Sequence, residues 1–388
     1  MVYPFYEIFF FEIHYQKYFI HLILISICRV ITDIITTKKQ GYFQHSIILR
    51  EIIMFLSQTL AIFVYLYQNH IMKDINKKNK MFKIFYLNIK KSFFWFLSII
   101  LSCSICIIFG YMRFDLFFYN NDMKKIPNEL ITNFEFIFLF IYLFFLNKYY
   151  LGFEIHRHHI IGLTLNIIGI LFYLVIEIFR NNNFNPTFSF LYVLIIIIEA
   201  QFLQSLTYTF PKKLNHQYFM NMNLILFFEG LFGIIILITY DFFYVYIFKF
   251  EDIFIFKIQK EEEQNYFIDI IYIFSYLIFN GTLNILNYIV IEETSPIYMT
   301  VAKGLSNIFT YISQIIQYSL LNNNQYKEIN SYQNIVFLCL SLIGFSIFLE
   351  LITLNFSDLD KYTKEKTASR GENDTILELA RNSISEEE

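Results

Sequence analysis

LTLNIIGILFYL, from Leu163 to Leu174, closely resembles LCLSLIGFSIFL, from Leu338 to Leu349. An ungapped alignment at an offset of 175 residues places Gly169 over Gly344, and each string lies in the last of five apolar segments. The pair therefore indicates duplication of a five-helix unit. Because five is odd, the second unit must insert in the opposite orientation, a plan that recurs in secondary transporters. We predict an all-α polytopic membrane protein with ten transmembrane helices arranged as two inverted five-helix repeats.

The composition also favours a membrane protein. Hydrophobic residues make up 56% of the 388 residues and the mean hydropathy is +0.47, more than a soluble domain normally has. A spanning helix needs about 20 mainly apolar residues. On that criterion the predicted segments are 18–37, 46–69, 92–112, 131–147, 158–179, 187–208, 220–248, 266–291, 297–321 and 334–355. The repeat alignment predicts that Leu146 and Asn147 end the fourth helix.

These segments define four regions of the chain. They are a short cytoplasmic N-terminus at 1–17, a first five-helix repeat at 18–182, a second at 185–356 and a cytoplasmic tail at 357–388. The orientation follows from the lysine and arginine bias of the short loops, to which the lysines from Lys73 to Lys91 contribute most. The tail is polar, charged and poor in aromatic residues, so we expect it to be disordered.

We expect no metal, no cofactor and no nucleic-acid partner. The cluster from His156 to His159 has no carboxylate or cysteine at ligand spacing, so we interpret it as a basic interfacial loop. The cysteines lie inside predicted helices, which argues against a disulfide framework. A GxxxxGK[ST] motif is absent from the sequence, which argues against ATP-driven pumping. The expected partners are a small-molecule solute and the lipid bilayer, and assembly as a homodimer is an open expectation.

Polar side chains inside three apolar segments recur at helical spacing. Such groups are costly in a membrane and tend to face the protein interior or a cavity. The ninth segment carries Lys303, Ser306, Asn307, Thr310, Gln314 and Gln317; the eighth carries Asn280, Asn284 and Asn287; the sixth carries Gln201, Gln204, Ser205 and Tyr208. These faces either line a water-filled pathway or hydrogen-bond one helix to another. The sequence favours neither interpretation over the other.

Lys303 is the strongest candidate for a substrate contact. An ammonium group near the start of a membrane helix either extends to the interface or meets a carboxylate or an anionic ligand. Intramembrane carboxylates that could be its counter-ion or a proton-coupling site are Glu135, Glu177, Glu199 and Glu229. Arg29 and Asp33 are further candidates for coupling or counter-ion roles, and their spacing of four residues allows them to neutralise each other.

Three stretches carry a family resemblance. AQFLQSLTYTFPKKLNHQYFMNMNLILFFEGLFGI, Ala200 to Ile234, contains a Gln-bearing helix, a charged loop and an EG..G motif. FNGTLNILNYIVIEETSPIYMTVAKGLSNIFTYI, Phe279 to Ile312, has an Asn-containing face and a Thr-Ser-Pro junction, and YFQHSIILREIIMFLSQTLAIFVYLY runs from Tyr42 to Tyr67. These stretches resemble solute carrier family 35, F-type, a nucleotide-sugar-transporter-like branch of the drug/metabolite transporter superfamily. The resemblance implies alternating access and an anionic or phosphorylated metabolite as substrate.

We therefore expect a secondary transporter of a small anionic metabolite. Lys303, Asn307 and Gln314 would form one wall of the pathway, opposite the polar residues of the sixth and eighth segments. The alternative is a non-transporting membrane adaptor or trafficking protein that acts through its tail. An enzyme is disfavoured, because the sequence has no cluster of catalytic groups at a membrane surface. A Golgi or endolysosomal membrane is expected ahead of the plasma membrane.

Overall fold

The structure, a computed structural model, describes a subset of the chain. The described residues are 20–32, 34–35, 47–73, 97, 100–101, 103–105, 107–108, 128–153, 157–180, 188–218, 220–246, 266–321 and 332–349. Every regular element within these ranges is a helix. The predicted N-terminal region 1–17 and the tail 357–388 lie outside them.

Ten helices can be labelled in chain order among these residues, together with a short turn of π-helix. The bounds are α1 Ile20–Thr32, α2 Ile47–Thr59, α3 Ala61–Lys73, α4 Asn128–Phe145, α5 Arg157–Arg180, α6 Phe188–Tyr218, α7 Met222–Tyr246, α8 Tyr266–Glu293, α9 Tyr298–Leu321 and α10 Tyr332–Phe348. Helical residues between 97 and 108 form what we call the third segment.

The helices have the length and composition of a multi-pass membrane protein. Within the described residues, four stretches are long and apolar enough to cross a bilayer: Glu51–Gln68, Ile131–Leu151, Met222–Thr239 and Ile270–Glu293. Many of their large apolar side chains are exposed to the surroundings of the protein, such as Phe63, Ile238 and Phe274. That exposure fits lipid contact, because exposed apolar surface on this scale is unfavourable in water. The finer prediction of ten spanning helices in two inverted repeats stays a prediction.

Contacts between Cα atoms divide the chain into two compact units. Unit 1 comprises residues 1–151 with 186–313, and unit 2 comprises 152–185 with 314–388. Unit 1 therefore takes helices from both of the predicted repeats, whereas the described part of unit 2 contains α5, α10 and the end of α9.

In unit 1, glycines allow α2 to pack closely against α7. A Cβ atom on Gly230 would lie 2.6 Å from the carbonyl oxygen of Phe55, and one on Gly233 would lie 2.2 Å from the Phe55 ring. Phe55 is fully buried there and packs with Met54 and Leu237 in an apolar cluster. The EG..G spacing therefore has a packing role, since only glycine leaves room for the neighbouring helix at these positions.

The second predicted segment is interrupted by a turn rather than continuous. α2 ends at Thr59, Leu60 forms a turn, and α3 begins at Ala61. Ser57 Oγ donates to the Met54 carbonyl and Thr59 Oγ1 donates to the Leu56 carbonyl, at 2.5 and 2.7 Å. Hydroxyl groups that bond to their own helix in this way often bend it. Ser57 and Thr59, the hydroxyl residues in the last turn of α2, are therefore the local signal for the break.

Leu146 and Asn147 do not end the fourth helix as the alignment predicts. They begin a turn of π-helix, Leu146–Leu151, that continues directly from α4. The chain leaves this turn at Gly152, whose φ is 72°. Left-handed backbone at a helix end strongly favours glycine. Gly152 therefore marks the physical stop, five residues after the predicted last helical residue, Asn147.

α6 also extends beyond its predicted end at residue 208 and reaches Tyr218. The polar residues after Pro211, which the sequence suggests as a loop, are helical. Lys212 is buried and its Nζ donates to the Glu292 carbonyl oxygen at 2.8 Å. Lys213 lies over the ring of Tyr150, with Nζ 3.6 Å from the ring centroid. Hydropathy underestimates the helix because these polar side chains bind neighbouring segments of protein.

In unit 2, α5 crosses α10 at two glycines. A Cβ atom on Gly162 would lie 2.5 Å from the Gly344 carbonyl oxygen, and one on Gly344 would lie 2.4 Å from Asn166 Nδ2. The His159 ring lies 4.6 Å from the ring of Phe348. Residue numbers rise along α5 as they fall along α10, so the helices are antiparallel. The two similar strings, Leu163 to Leu174 and Leu338 to Leu349, therefore lie on directly packed helices.

His159 corrects the prediction of a basic interfacial loop. It lies within α5, is 7% exposed and packs on Phe348. The predicted segment 158–179 already includes His159, and the interpretation as a loop comes from the basic character of the cluster from His156 to His159. Among the described residues no group of three or more His, Cys, Asp or Glu side chains is arranged to hold a metal ion.

The α5–α10 crossing generates a stability prediction. Gly344→Ala should destabilise the protein by about 1 to 3 kcal/mol, because the new methyl group overlaps backbone that cannot move freely. Gly162→Ala should act in the same direction. The measurement is thermal unfolding of the purified protein in detergent. Ser346→Ala is the matched control on α10, because its hydroxyl bonds only within its own helix, to the Leu342 carbonyl at 2.7 Å. An unchanged melting temperature for both glycine variants would contradict the crossing.

Candidate functional site

The candidate site is a buried ion pair between two helices of unit 1. Lys303 on α9 places its Nζ 2.9 Å from Oε2 of Glu135 on α4, and the two side chains are 6% and 16% exposed. The same Nζ donates to Oε1 of Gln201 on α6 at 3.1 Å. Side chains of three helices therefore converge on one ammonium group.

The local sequence of α9 places Lys303 inside the protein. Its neighbours Val301, Ala302 and Leu305 are buried. On α1, Ser26 Oγ donates to the Ala302 carbonyl oxygen at 3.3 Å, so α1 also reaches this turn of α9. The ammonium group consequently lies against protein on several sides and meets a carboxylate rather than extending to the interface.

The electrostatics of the pair explain why Gln201 is needed. Removing a carboxylate and an ammonium group from water costs several kcal/mol per ion, as an order of magnitude. Their mutual attraction offsets this cost only when the geometry is good and the remaining polar atoms are hydrogen-bonded. Gln201 satisfies a second donor position of the lysine. Glu135 is the more exposed partner of the pair.

The other predicted pathway residues are distributed between several contacts. Asn280 Nδ2 donates to Ser57 Oγ at 2.7 Å and so joins α8 to α2. Gln204 Nε2 donates to the Tyr208 hydroxyl at 3.1 Å, one turn along α6. Half-buried residues of the predicted faces are Asn284, Asn287, Asn307 and Thr310. The side chains of Gln314 and Gln317 lie outside the described residues.

The candidates for coupling and counter-ion roles also occupy different places. Glu229 on α7 is 1% exposed and accepts a hydrogen bond on Oε2 from the Tyr288 hydroxyl of α8. Arg29 and Glu199 are half-buried. Asp33 and the side chain of Glu177 lie outside the described residues. The structure therefore gives Lys303 the partner Glu135, and it places Glu229 in a separate buried cluster.

Sequence reasoning missed Tyr288 and could not single out Glu135. Tyr288 lies four residues after Asn284 and eight after Asn280, which places it on the same face of α8. That spacing was the available signal. Glu135 had no distinguishing signal, because several intramembrane carboxylates are equally compatible with pairing until the packing of α4 is known.

Comparison with known proteins leaves the family open. No protein-family model matches the sequence. No curated protein matches it either. A solved structure described as "Crystal structure of protein" is similar to this chain with a TM-score of 0.44 and 10% sequence identity, covering 84% of this chain and 96% of the other.

The ion pair generates a test by double-mutant cycle. Lys303→Met and Glu135→Leu should each lower the free energy of unfolding by about 3 kcal/mol, because each leaves the other charge buried without its partner. The double variant should lose less than the sum of the two single variants. Chemical unfolding in mixed micelles measures these differences, with Lys148→Met as the control at an exposed lysine. Additivity within about 0.5 kcal/mol would contradict direct pairing.

Proposed function

We propose that this chain is a secondary transporter of a small anionic or phosphorylated metabolite, with Lys303 as the cation that binds the solute. The supporting observation is the buried ammonium group held between Glu135 and Gln201. Intramembrane ionisable residues characteristically mark substrate or ion pathways. A cation that is already compensated by a carboxylate can accept another oxyanion in the same geometry.

The mechanism we propose is competition between the solute and Glu135 for one ammonium group. In the resting protein the Glu135 carboxylate occupies the position of the solute anion, so the site is neutral and inexpensive to keep in a membrane. The solute anion takes over the contact with Lys303 while Glu135 moves to its more exposed side. Gln201 keeps its contact with the lysine and so fixes the direction of the ammonium group. The ammonium group is therefore compensated both before and after binding, and the displaced Glu135 carboxylate carries the remaining negative charge.

Alternating access would expose this site to the two sides of the membrane in turn. That part of the proposal comes from the resemblance to solute carrier family 35, F-type, and from the repeated strings of α5 and α10. The antiparallel packing of these helices supports it, because equivalent helices of oppositely inserted repeats run in opposite directions. Transport would be driven by exchange or by an ion gradient. The proposed location, a Golgi or endolysosomal membrane, likewise comes from the resemblance.

The transport test uses purified protein in proteoliposomes preloaded with a mixed pool of nucleotide sugars and phosphorylated metabolites. Lys303→Ala and Lys303→Gln should each reduce exchange of the transported anion by about 10- to 100-fold, the equivalent of a lost charge-assisted contact of about 1.5 to 3 kcal/mol. Lys148→Ala, at an exposed lysine, is the control for a general loss of positive charge. Unchanged exchange in both Lys303 variants would place the solute elsewhere.

An absence of exchange in the wild type for every compound of the pool would overturn the carrier proposal. The adaptor alternative would then be tested by deleting residues 357–388. Loss of the cellular phenotype after this deletion would favour a tail-mediated role.

The variant Glu135→Gln distinguishes a carboxylate that competes with the solute for Lys303 from one that only stabilises the fold. The neutral amide should compete less well with the solute, so the apparent KM for the anion should fall several-fold while maximal exchange does not rise. Initial rates across a range of solute concentrations measure both parameters. A KM that rises in parallel with that of Lys303→Gln would show that Glu135 supports binding instead of opposing it.

A further inference from the structure

A second buried ionisable group in unit 1 has no part in the anion site. Oε2 of Glu229 accepts a hydrogen bond from the Tyr288 hydroxyl. Oε1 of the same carboxyl group is buried without a hydrogen-bond partner among the described residues. The Cys103 thiol of the third segment lies beside the carboxyl group. An ionised carboxylate in this setting is poorly compensated, because neither neighbour carries a positive charge.

The surroundings of Glu229 keep water away from it. Gly230 and Gly233 bring α2 against α7 at backbone distance. The apolar cluster of Met54, Phe55, Ile107, Ile108 and Leu237 lies along the same side of α7. A buried carboxyl group without a cationic partner removes its desolvation cost most simply by binding a proton.

The polar face of α6 connects Glu229 to the anion site. Gln201 holds Lys303, Gln204 donates to Tyr208, and Tyr208 lies close enough to interact electrostatically with Tyr288. Seven residues separate Gln201 from Tyr208, a rise of about 10 Å along the helix. A shift of α6 that alters the contact with Lys303 therefore also alters the environment of the Tyr288–Glu229 pair.

We propose that Glu229 is the proton-binding site that couples anion transport to a proton gradient. This inference rests on the proposed function, since coupling requires a carrier. A proton from the aqueous phase on one side of the membrane binds the Glu229 carboxylate and is released to water on the other side. No other bond changes. Among the described residues, the titratable groups that interact with Glu229 or with Tyr288 are Cys103 of the third segment and Tyr208 of α6, and Glu51 is a buried carboxyl group on the neighbouring helix α2.

The test measures two kinds of flux in the same proteoliposomes. Wild type should accumulate the anion when the outside is more acidic, up to about tenfold per pH unit if one proton moves with each solute. Glu229→Gln should retain solute exchange at equal pH but lose the gradient-driven accumulation. Ser104→Ala is the matched control, because Ser104 Oγ donates to the Glu229 backbone carbonyl at 3.2 Å and leaves the carboxyl group unchanged. Gradient-driven accumulation that persists in Glu229→Gln would overturn the inference.

A measurement that needs no solute keeps the inference separate from the carrier proposal. Infrared difference spectra of the purified protein during a pH titration should contain the C=O stretch of a buried protonated carboxyl group, and Glu229→Gln should remove that band. Tyr288→Phe should retain the band and shift its frequency and its titration midpoint, since it removes only the hydroxyl donor. A spectrum without any band that depends on Glu229 would overturn the proton site, whatever the transport assay gives.

Discussion

The need to compensate one buried ammonium group constrains the packing of α4, α6 and α9. Lys303 has its charge among apolar helices, where an unpaired ion costs far more than in water. Glu135 must therefore approach to ion-pair distance, and Gln201 must present its carbonyl oxygen at the same point. A small displacement of any of the three helices would expose the full desolvation cost of one charge. The three helices are therefore held rigidly while the ion pair is formed. Their positions can change at a low cost in free energy only when another anion replaces the carboxylate.

Close helix approach through glycine is a separate packing feature, found between α2 and α7 in unit 1 and between α5 and α10 in unit 2. Gly230 and Gly233 allow α7 to pack closely against α2, and Gly162 and Gly344 allow α5 to pack closely against α10. In a membrane, lipid is as apolar as the side chains, so association depends on close packing and hydrogen bonds. Asn280, bonded to Ser57 across α8 and α2, adds one such bond within unit 1. With only 11 glycines in the chain, their concentration at helix crossings is a packing requirement.

The sequence predicts the positions of helices and their polar faces better than it predicts which side chains contact each other. Apolar periodicity locates the helices because it reports the same transfer free energy that drives insertion. It fails where the structure departs from hydropathy, as at the polar end of α6, the π turn after Phe145 and the turn at Leu60. At the end of α6 and at Leu60, side-chain hydrogen bonds to backbone accompany these departures. Lys303 and Gln201 are identifiable as polar residues at helical spacing, whereas Glu135 is identified only by the packing of α4 against α6.

Lys303 and Glu229, two of the buried ionisable groups of unit 1, are compensated in different ways, and the difference bears on their proposed roles. The charge of Lys303 is balanced by the opposite charge of Glu135. The pair therefore stays neutral only if another anion takes the place of the carboxylate. Glu229 is stabilised by a hydroxyl group and not by a cation in the part of the chain that the structure describes. Its charge state can therefore change through a proton alone. Because α6 contacts both places, movement of that helix would give a physical route by which the proposed anion exchange and the proposed proton uptake affect each other.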